Sequence, residues 1–221
     1  MGSLVCFDVD GCLIDSDVPM MVALNEALFV LGMPHVELAQ LRPHLGPPLL
    51  ETLRGLLPEL GLPTGQAEPL SAAYRQAYER ASVEDVSVHA GIPELLTSLS
   101  GGGHELRVVS SKPPRYSEPI LQEAELLGFF SSVHGPLGAE TEPKDVTLAR
   151  ALQSSGLTTR VYLVGDTAAD ILAARANDAV SIAVTWGYAT VENLKAARPD
   201  HLGATADDVR HIIEGTQGTS R

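Results

Sequence analysis

Two cysteines in 221 residues leave no room for a disulfide framework. Cys6 lies inside an apolar run and Cys12 just beyond it. A bridge across the turn between them is hard to close, so both are expected as free thiols, the state that a reducing cytoplasm maintains. Positive charge is also scarce: 15 Lys and Arg stand against 28 Asp and Glu, a formal net charge of −13. Such a surface excludes nucleic acid as a partner, because phosphate backbones need a basic face. No apolar run reaches the ~18 residues of a membrane span. The N-terminus lacks the basic-then-apolar pattern of a secretion signal, and the seven histidines show no metal-ligand spacing. Hydrophobic content of 44% and a length that buries roughly 70% of the unfolded surface describe a globular chain. It is expected to be cytoplasmic, and monomeric or weakly dimeric.

From residue 88 onward short apolar strands alternate with helical stretches. Strands are expected at Leu106–Ser110, Ser132–His134, Val161–Gly165 and Val180–Val184. Helices are expected from Gly91 to Ser100, Pro113 to Leu127, Pro143 to Ser154, Ala168 to Ala176, Val191 to Ala197 and Ala206 to Glu214. Alternation of this kind means βαβ units and a parallel sheet. Leu4-Val5-Cys6-Phe7 reads as a further buried parallel strand. Residues 17–86 break the rhythm, with helices expected at Val18–Leu31, Pro47–Leu57 and Ala67–Ala81 and no convincing strand. The economical reading is an α/β, Rossmann-like parallel-sheet core (1–16 and 87–221) carrying an inserted all-helical cap (17–86). Ile14–Asp17 and Val83–Val88 would be the linkers. Gly101-Gly102-Gly103 precedes a strand and so lies at the wrong end of the sheet for a phosphate loop. The polar tail from Gly215 is expected to be disordered.

Ligands of open parallel sheets bind beyond the carboxyl ends of the strands. Asp8 and Asp10 follow the first strand, and Gly11 lets the chain turn there. Two carboxylates held so close repel unless a cation joins them or one is protonated. Ser110, Ser111 and Lys112 follow the second predicted strand, Lys144 opens a later helix, and Asp166 and Asp170 follow Val161–Gly165. This set matches one-metal phosphoryl transfer. The anionic chain would need such a local cluster of metal, lysine and helix N-termini to hold a phosphate ester at all. Hard oxygen ligands suit Mg²⁺, with Asp8, Asp166 and the Asp10 carbonyl as ligands. Asp8 can attack phosphorus, and Asp10 can protonate the leaving oxygen and later take a proton from water. Ser110 can hydrogen-bond the phosphoryl group, and Lys144 can offset the clustered charge. Asp170 is expected to orient Lys144 or the metal's waters. Read without that context, Ser110 and Ser111 suit a helix N-cap; the combined reading gives Ser110 to phosphate and Ser111 to the cap.

Asp8-x-Asp10-Gly11-x-Leu13-x-Asp15-Ser16, Val108-Val109-Ser110-Ser111-Lys112, Glu142-Pro143-Lys144 and Val164-Gly165-Asp166-x-x-x-Asp170 resemble the four motifs of the haloacid dehalogenase superfamily, in order and across the whole chain. The position of the insert resembles the helical-cap subclass. Leu45-Gly46-Pro47-Pro48-Leu49, Ser111-Lys112-Pro113 and Val184-Thr185-Trp186-Gly187-Tyr188 resemble its phosphoglycolate phosphatase-like branch, which includes bacterial 5′-nucleotidases. The resemblance implies Mg²⁺-dependent hydrolysis of a small phosphorylated metabolite through a phospho-aspartate. Gly11, Ser111, Lys112, Pro47 and Arg54 are the expected substrate contacts, Arg54 as the best basic candidate in the cap, and His44 is a weaker one. Trp186 and Tyr188 suit either core or substrate. A phosphomutase shares the same two aspartates, and a catalytically silent sugar-phosphate sensor is the non-enzymatic alternative. Cys12 stands where the family's pattern has threonine.

Overall fold

The computed structural model describes residues 2–80, 86–137, 142–153 and 160–215. Six strands form one parallel sheet: β1 (Leu4–Phe7), β4 (Glu105–Val109), β5 (Ser132–His134), β6 (Val161–Gly165), β7 (Val180–Val184) and β8 (His201–Gly203), in the order β5-β4-β1-β6-β7-β8. β1 is buried along its whole length. It pairs Leu4 with Glu105 on one side and with Val161 on the other. A continuous apolar run is what a strand covered on both faces requires. The chain lays strands to one side of β1 through β4 and β5, then crosses back to β6. Beside β1 the winding direction therefore reverses, and that is where such sheets open a crevice at their carboxyl ends.

Helices cover both faces. α5 (Ile92–Gly101), α6 (Pro114–Glu123) and α10 (Ala206–Gly215) pack Leu96, Leu99, Leu121, Val209 and Ile213 with Phe7, Val108 and Val164. α7 (Lys144–Leu152) and α8 (Ala168–Ala176) bury Leu148, Ala151, Ala173 and Ala174 with Leu4, Cys6 and Leu163. α9 (Val191–Ala197) packs Leu194 against Ala183 of β7 and Ile171 of α8. These elements match the expected alternation, so the fold is α/β with a Rossmann-like core.

Between β1 and β4 lie α1 (Asp17–Val30), the short α2 (Leu38–Leu41), α3 (Leu49–Glu59) and α4 (Ala67–Tyr78). They have an apolar centre of their own, made by Leu24, Leu28, Leu53, Leu56, Leu57 and Leu70. α1 is apolar on nearly all sides: Leu24 and Leu28 face inward, while Val22 and Phe29 stay exposed. Among the described residues no helix is long and apolar enough to cross a membrane.

Several expectations need correction. The stretches read as plain linkers hold an antiparallel ribbon, β2 (Ile14–Asp15) with β3 (Ser87–Val88); the 83–85 part of the expected linker lies outside the described residues. Two-residue strands carry no periodicity, and only their mutual pairing makes them visible. The edge strand β8, not expected from the sequence, has three residues, too few to show a period, and is defined by its pairing with β7. α6 stops at Glu123 instead of Leu127. Glu125 takes a left-handed φ of 58° and the Leu126 amide turns back to the Leu121 carbonyl at 2.8 Å, a helix-closing turn. The Ser154 end of the helix after Lys144 and the tail beyond Gly215 lie outside the described residues.

Candidate active site

Because all six strands are parallel, the residues after β1, β4 and β6 emerge on one side of the sheet. Asp8 follows β1 directly. Its amide donates to the Val164 carbonyl at 2.9 Å, and its Oδ1 accepts the Val9 amide at 2.8 Å. Lys144, the first residue of α7, reaches in from below. Its Nζ lies 2.6 Å from Asp8 Oδ2 and 2.5 Å from Asp170 Oδ1. Lys144 and both carboxylates are buried, with 5%, 4% and 1% of their surface exposed. Burial alone would pull the lysine's pKa down; Asp170 and Asp8 outweigh it and the net shift is upward. For Asp8, burial wins over Lys144 and raises the carboxyl to about 6.

Asp170 is held twice more. It sits at the third position of α8, and its Oδ2 accepts from the Thr167 amide at 3.0 Å and the Thr167 hydroxyl at 2.7 Å. This reciprocal cap satisfies the helix start and aims Oδ1 at Lys144. Both oxygens are thus committed, as a residue that orients Lys144 requires.

Asp166 is fully buried. Oδ2 accepts the Tyr188 amide at 2.7 Å, whereas Oδ1 has no hydrogen-bond partner among the described residues. Burial first, then Asp170 and Asp8, push its pKa well above the usual carboxylate range. Each of Asp8, Asp166 and Asp170 offers an oxygen within 4.8 Å of the others. An uncompensated buried carboxylate is costly; a hard divalent cation among these oxygens removes the cost, so the donor set fits Mg²⁺.

Two glycines make the cluster possible. Gly11 takes φ 78°, and a Cβ there would come within 2.2 Å of Asp166 Oδ2. A Cβ on Gly187 would lie 2.3 Å from the same oxygen. Cys12 does not disturb the set. Its buried thiol points at the Val164 carbonyl, 3.6 Å away, and burial, then the surrounding carboxylates, raise its pKa so that it stays neutral.

Asp10 occupies a separate station. Its Oδ1 accepts from Lys112 Nζ at 2.6 Å and from the Ser16 hydroxyl. Lys112 also donates to the Tyr78 hydroxyl of α4 at 2.8 Å. Ser110 is buried and its Oγ accepts the Lys112 amide at 3.1 Å. Ser111 does not cap a helix, contrary to expectation: α6 starts at Pro114 with Pro113 before it, and the Ser111 oxygen is buried without a partner among the described residues.

A cavity of about 110 Å³ opens over Asp8 and Asp10, walled on the core side by Ser110, Ser111, Lys112 and Tyr188 and on the other by residues of α1–α4 and their loops, Pro47 among them. Three expected contacts are absent from that wall. Gly11 lies beneath it against Asp166. Arg54 points outward to Glu68, 2.6 Å away, with both side chains exposed. His44 lies 3.2 Å from Glu59, against Gly55. In α3 the leucines 53, 56 and 57 take the inner face, so Arg54 is turned from the cavity. The cation that α4 brings to the wall is Arg75, which sequence reasoning missed along with Tyr74, Tyr78 and Tyr116. Trp186 packs on the sheet core and donates to the Cys12 carbonyl at 3.0 Å, whereas Tyr188 is a cavity residue.

A Rossmann-like sheet whose carboxyl ends gather Asp8, Asp10 and Asp166, with a buried lysine and a serine, beside a cavity has the donor set that phosphoryl transfer needs. The chain belongs to the haloacid dehalogenase-like hydrolases, whose family model matches residues 5–184. It is 30% identical over 212 residues to a 5′-nucleotidase of Pseudomonas aeruginosa, covering 95% of each chain. It is 29% identical to a phosphoglycolate phosphatase of Pseudomonas putida, covering 96% of this chain and 79% of that one. The solved structure of a predicted phosphatase from Clostridium acetobutylicum superposes with a TM-score of 0.86 at 26% identity, over 97% and 99% of the two chains. The protein is a phosphatase of the haloacid dehalogenase type, acting on phosphate monoesters.

Proposed function

We propose that the protein hydrolyses a small phosphorylated metabolite in two steps through an aspartyl-phosphate on Asp8, with Mg²⁺ as cofactor. The observation that carries this reading is Asp8 on the cavity floor with Lys144 bridging it to Asp170 beside the unpartnered oxygen of Asp166. In the first step a carboxylate oxygen of Asp8 attacks phosphorus, the P–O bond to the leaving alcohol breaks, and Asp10 supplies the proton that alcohol needs. In the second, Asp10 takes a proton from water, water attacks phosphorus, and the phospho-aspartate bond breaks to release phosphate and free Asp8. Lys144 and Ser110 hold the phosphoryl oxygens; Asp170 and Thr167 keep Lys144 aimed.

Asp8, Asp166 and the Asp10 carbonyl would hold Mg²⁺. When bound it neutralises the clustered charge and keeps Asp8 ionised. Residues 17–86 act as the cap that excludes bulk water from the site. The two buried free thiols suit a reducing, cytoplasmic setting.

Asp8→Asn tests the assignment. Mg²⁺-dependent hydrolysis of p-nitrophenyl phosphate should fall by at least about 10³-fold, since a nucleophile has no substitute. Undiminished turnover would sink the nucleophile assignment.

A further inference from the structure

We infer that the leaving group of the natural substrate carries a planar ring and is not a short carboxylate chain. The inference rests on the phosphomonoesterase reading above and narrows it.

The first support is where the aromatics are. Only 5% of the chain is aromatic, with five tyrosines, yet Tyr74, Tyr78, Tyr116 and Tyr188 all line this one cavity. Tyr74 and Tyr78 stack with centroids 5.5 Å apart, and Tyr116 meets Tyr78 edge-on at 5.7 Å. Leu49 and Leu53 add aliphatic surface to the same wall. A water needs only ~10–15 Å³ of such space, so a cavity of about 110 Å³ holds a group many times larger. A two-carbon acid would set its carboxylate against tyrosine rings and leucine side chains. A ring fills it and offers its faces and edges to the tyrosines.

The second support is charge. A carboxylate drawn into this cavity would need a cation. The cations on the wall, among the described residues, are Lys112 and Arg75. Lys112 is already shared between Asp10 and the Tyr78 hydroxyl, and Arg75 has interactions of its own. A substrate carboxylate would have to compete with Asp10 for the Lys112 charge. The Ser111 hydroxyl, buried without a partner among the described residues, is neutral and suits a single heteroatom or hydroxyl on a ring.

The test compares kcat/KM of the full chain with Mg²⁺ for benzyl phosphate, a 5′-nucleoside monophosphate, glycerol 3-phosphate and 2-phosphoglycolate, all esters of alkyl alcohols. Both ring-bearing esters should exceed 2-phosphoglycolate by roughly tenfold or more, and Tyr74→Ala and Tyr116→Ala should each cut that ratio several-fold. Tyr116→Phe, which keeps the ring, should preserve it and serves as the control for folding. Equal or higher kcat/KM for 2-phosphoglycolate, above all if lost in Arg75→Met, would overturn the inference and leave the phosphomonoesterase reading standing. A ratio unmoved by either alanine variant would overturn the assignment to this wall. Failure to hydrolyse any ester would overturn both readings.

Discussion

The floor and the roof of the cavity are built on opposite principles. On the floor, Asp8, Asp166, Asp170 and Lys144 are ionisable and buried, and almost every polar atom has a named partner at hydrogen-bond distance. The roof, from α1, α3, α4 and their loops, meets the cavity with Met20, Leu24, Leu49, Leu53 and Tyr74. A floor so over-determined can hold one geometry of charge, as stabilising a transition state demands. An apolar roof selects by shape and area, and substitution changes what it accepts without disturbing the chemistry below. The two regions also rest on separate apolar clusters, so one can vary while the other is kept.

Breaking the floor should have the largest effect. Lys144→Met leaves Asp8 and Asp170 buried without their cation, and losing one partner of such a pair costs about 3–5 kcal/mol. Urea unfolding in EDTA should show that loss, and phosphatase turnover should drop about 10²–10³-fold. A stable, active variant would mean the floor is less constrained than its distances imply.

Gly187→Ala comes next. The added methyl lands on Asp166, so Mg²⁺ affinity measured by calorimetry should fall by roughly 10–100-fold, with less effect on stability than Lys144→Met. Retained affinity would show that Asp166 is not the ligand.

pH sharpens the same contrast more gently. In metal-free protein burial raises Asp8 to about 6 from 3.8. The folded state therefore binds a proton more tightly than the unfolded chain, and the stability so gained is present below pH 3.8 and lost as pH rises towards about 6. In EDTA, Asp8→Asn should gain stability relative to the native protein across that window; Mg²⁺ should remove the difference. Parallel stability curves in EDTA would contradict the burial argument. The same proton competes with the metal, so Mg²⁺ affinity should weaken below pH 6.

The smallest effect is expected outside the cavity. Arg54 pairs with Glu68 on the exposed face, so Arg54→Ala should alter kcat/KM less than about twofold, as for other surface pairs. A tenfold loss would restore Arg54 to the site and weaken the view of the roof as apolar.

The floor was far more legible in the sequence than the roof. Asp8, Asp10, Ser110, Lys144, Asp166 and Asp170 stand immediately after strands or at helix starts, where period-2 and period-3.6 patterns change over, and parallel strands must deliver such positions to one side of the sheet. The roof has no such rule. Arg54 and Arg75 are both basic residues on amphipathic helices, and only the packing of α3 on α4 decides which one turns inward. Ser111 misled for a related reason: Ser-Lys-Pro-Pro reads as a capped helix start, but Pro113 holds that position and leaves the hydroxyl to the cavity wall.

Composition and pattern alone determined a parallel α/β core interrupted by helices, an anionic chain with two free thiols, and the placing of the candidate carboxylates at strand ends and helix starts, because these depend on local periodicity and on the single handed way a parallel sheet is wound. The tertiary structure decided which oxygen of Asp166 stays unpaired, that Lys112 ties Asp10 to Tyr78, and that a chain poor in aromatics spends four of its five tyrosines on one cavity. Those facts join residues far apart in sequence, whose proximity follows from the packing of whole helices and cannot be read from any short window.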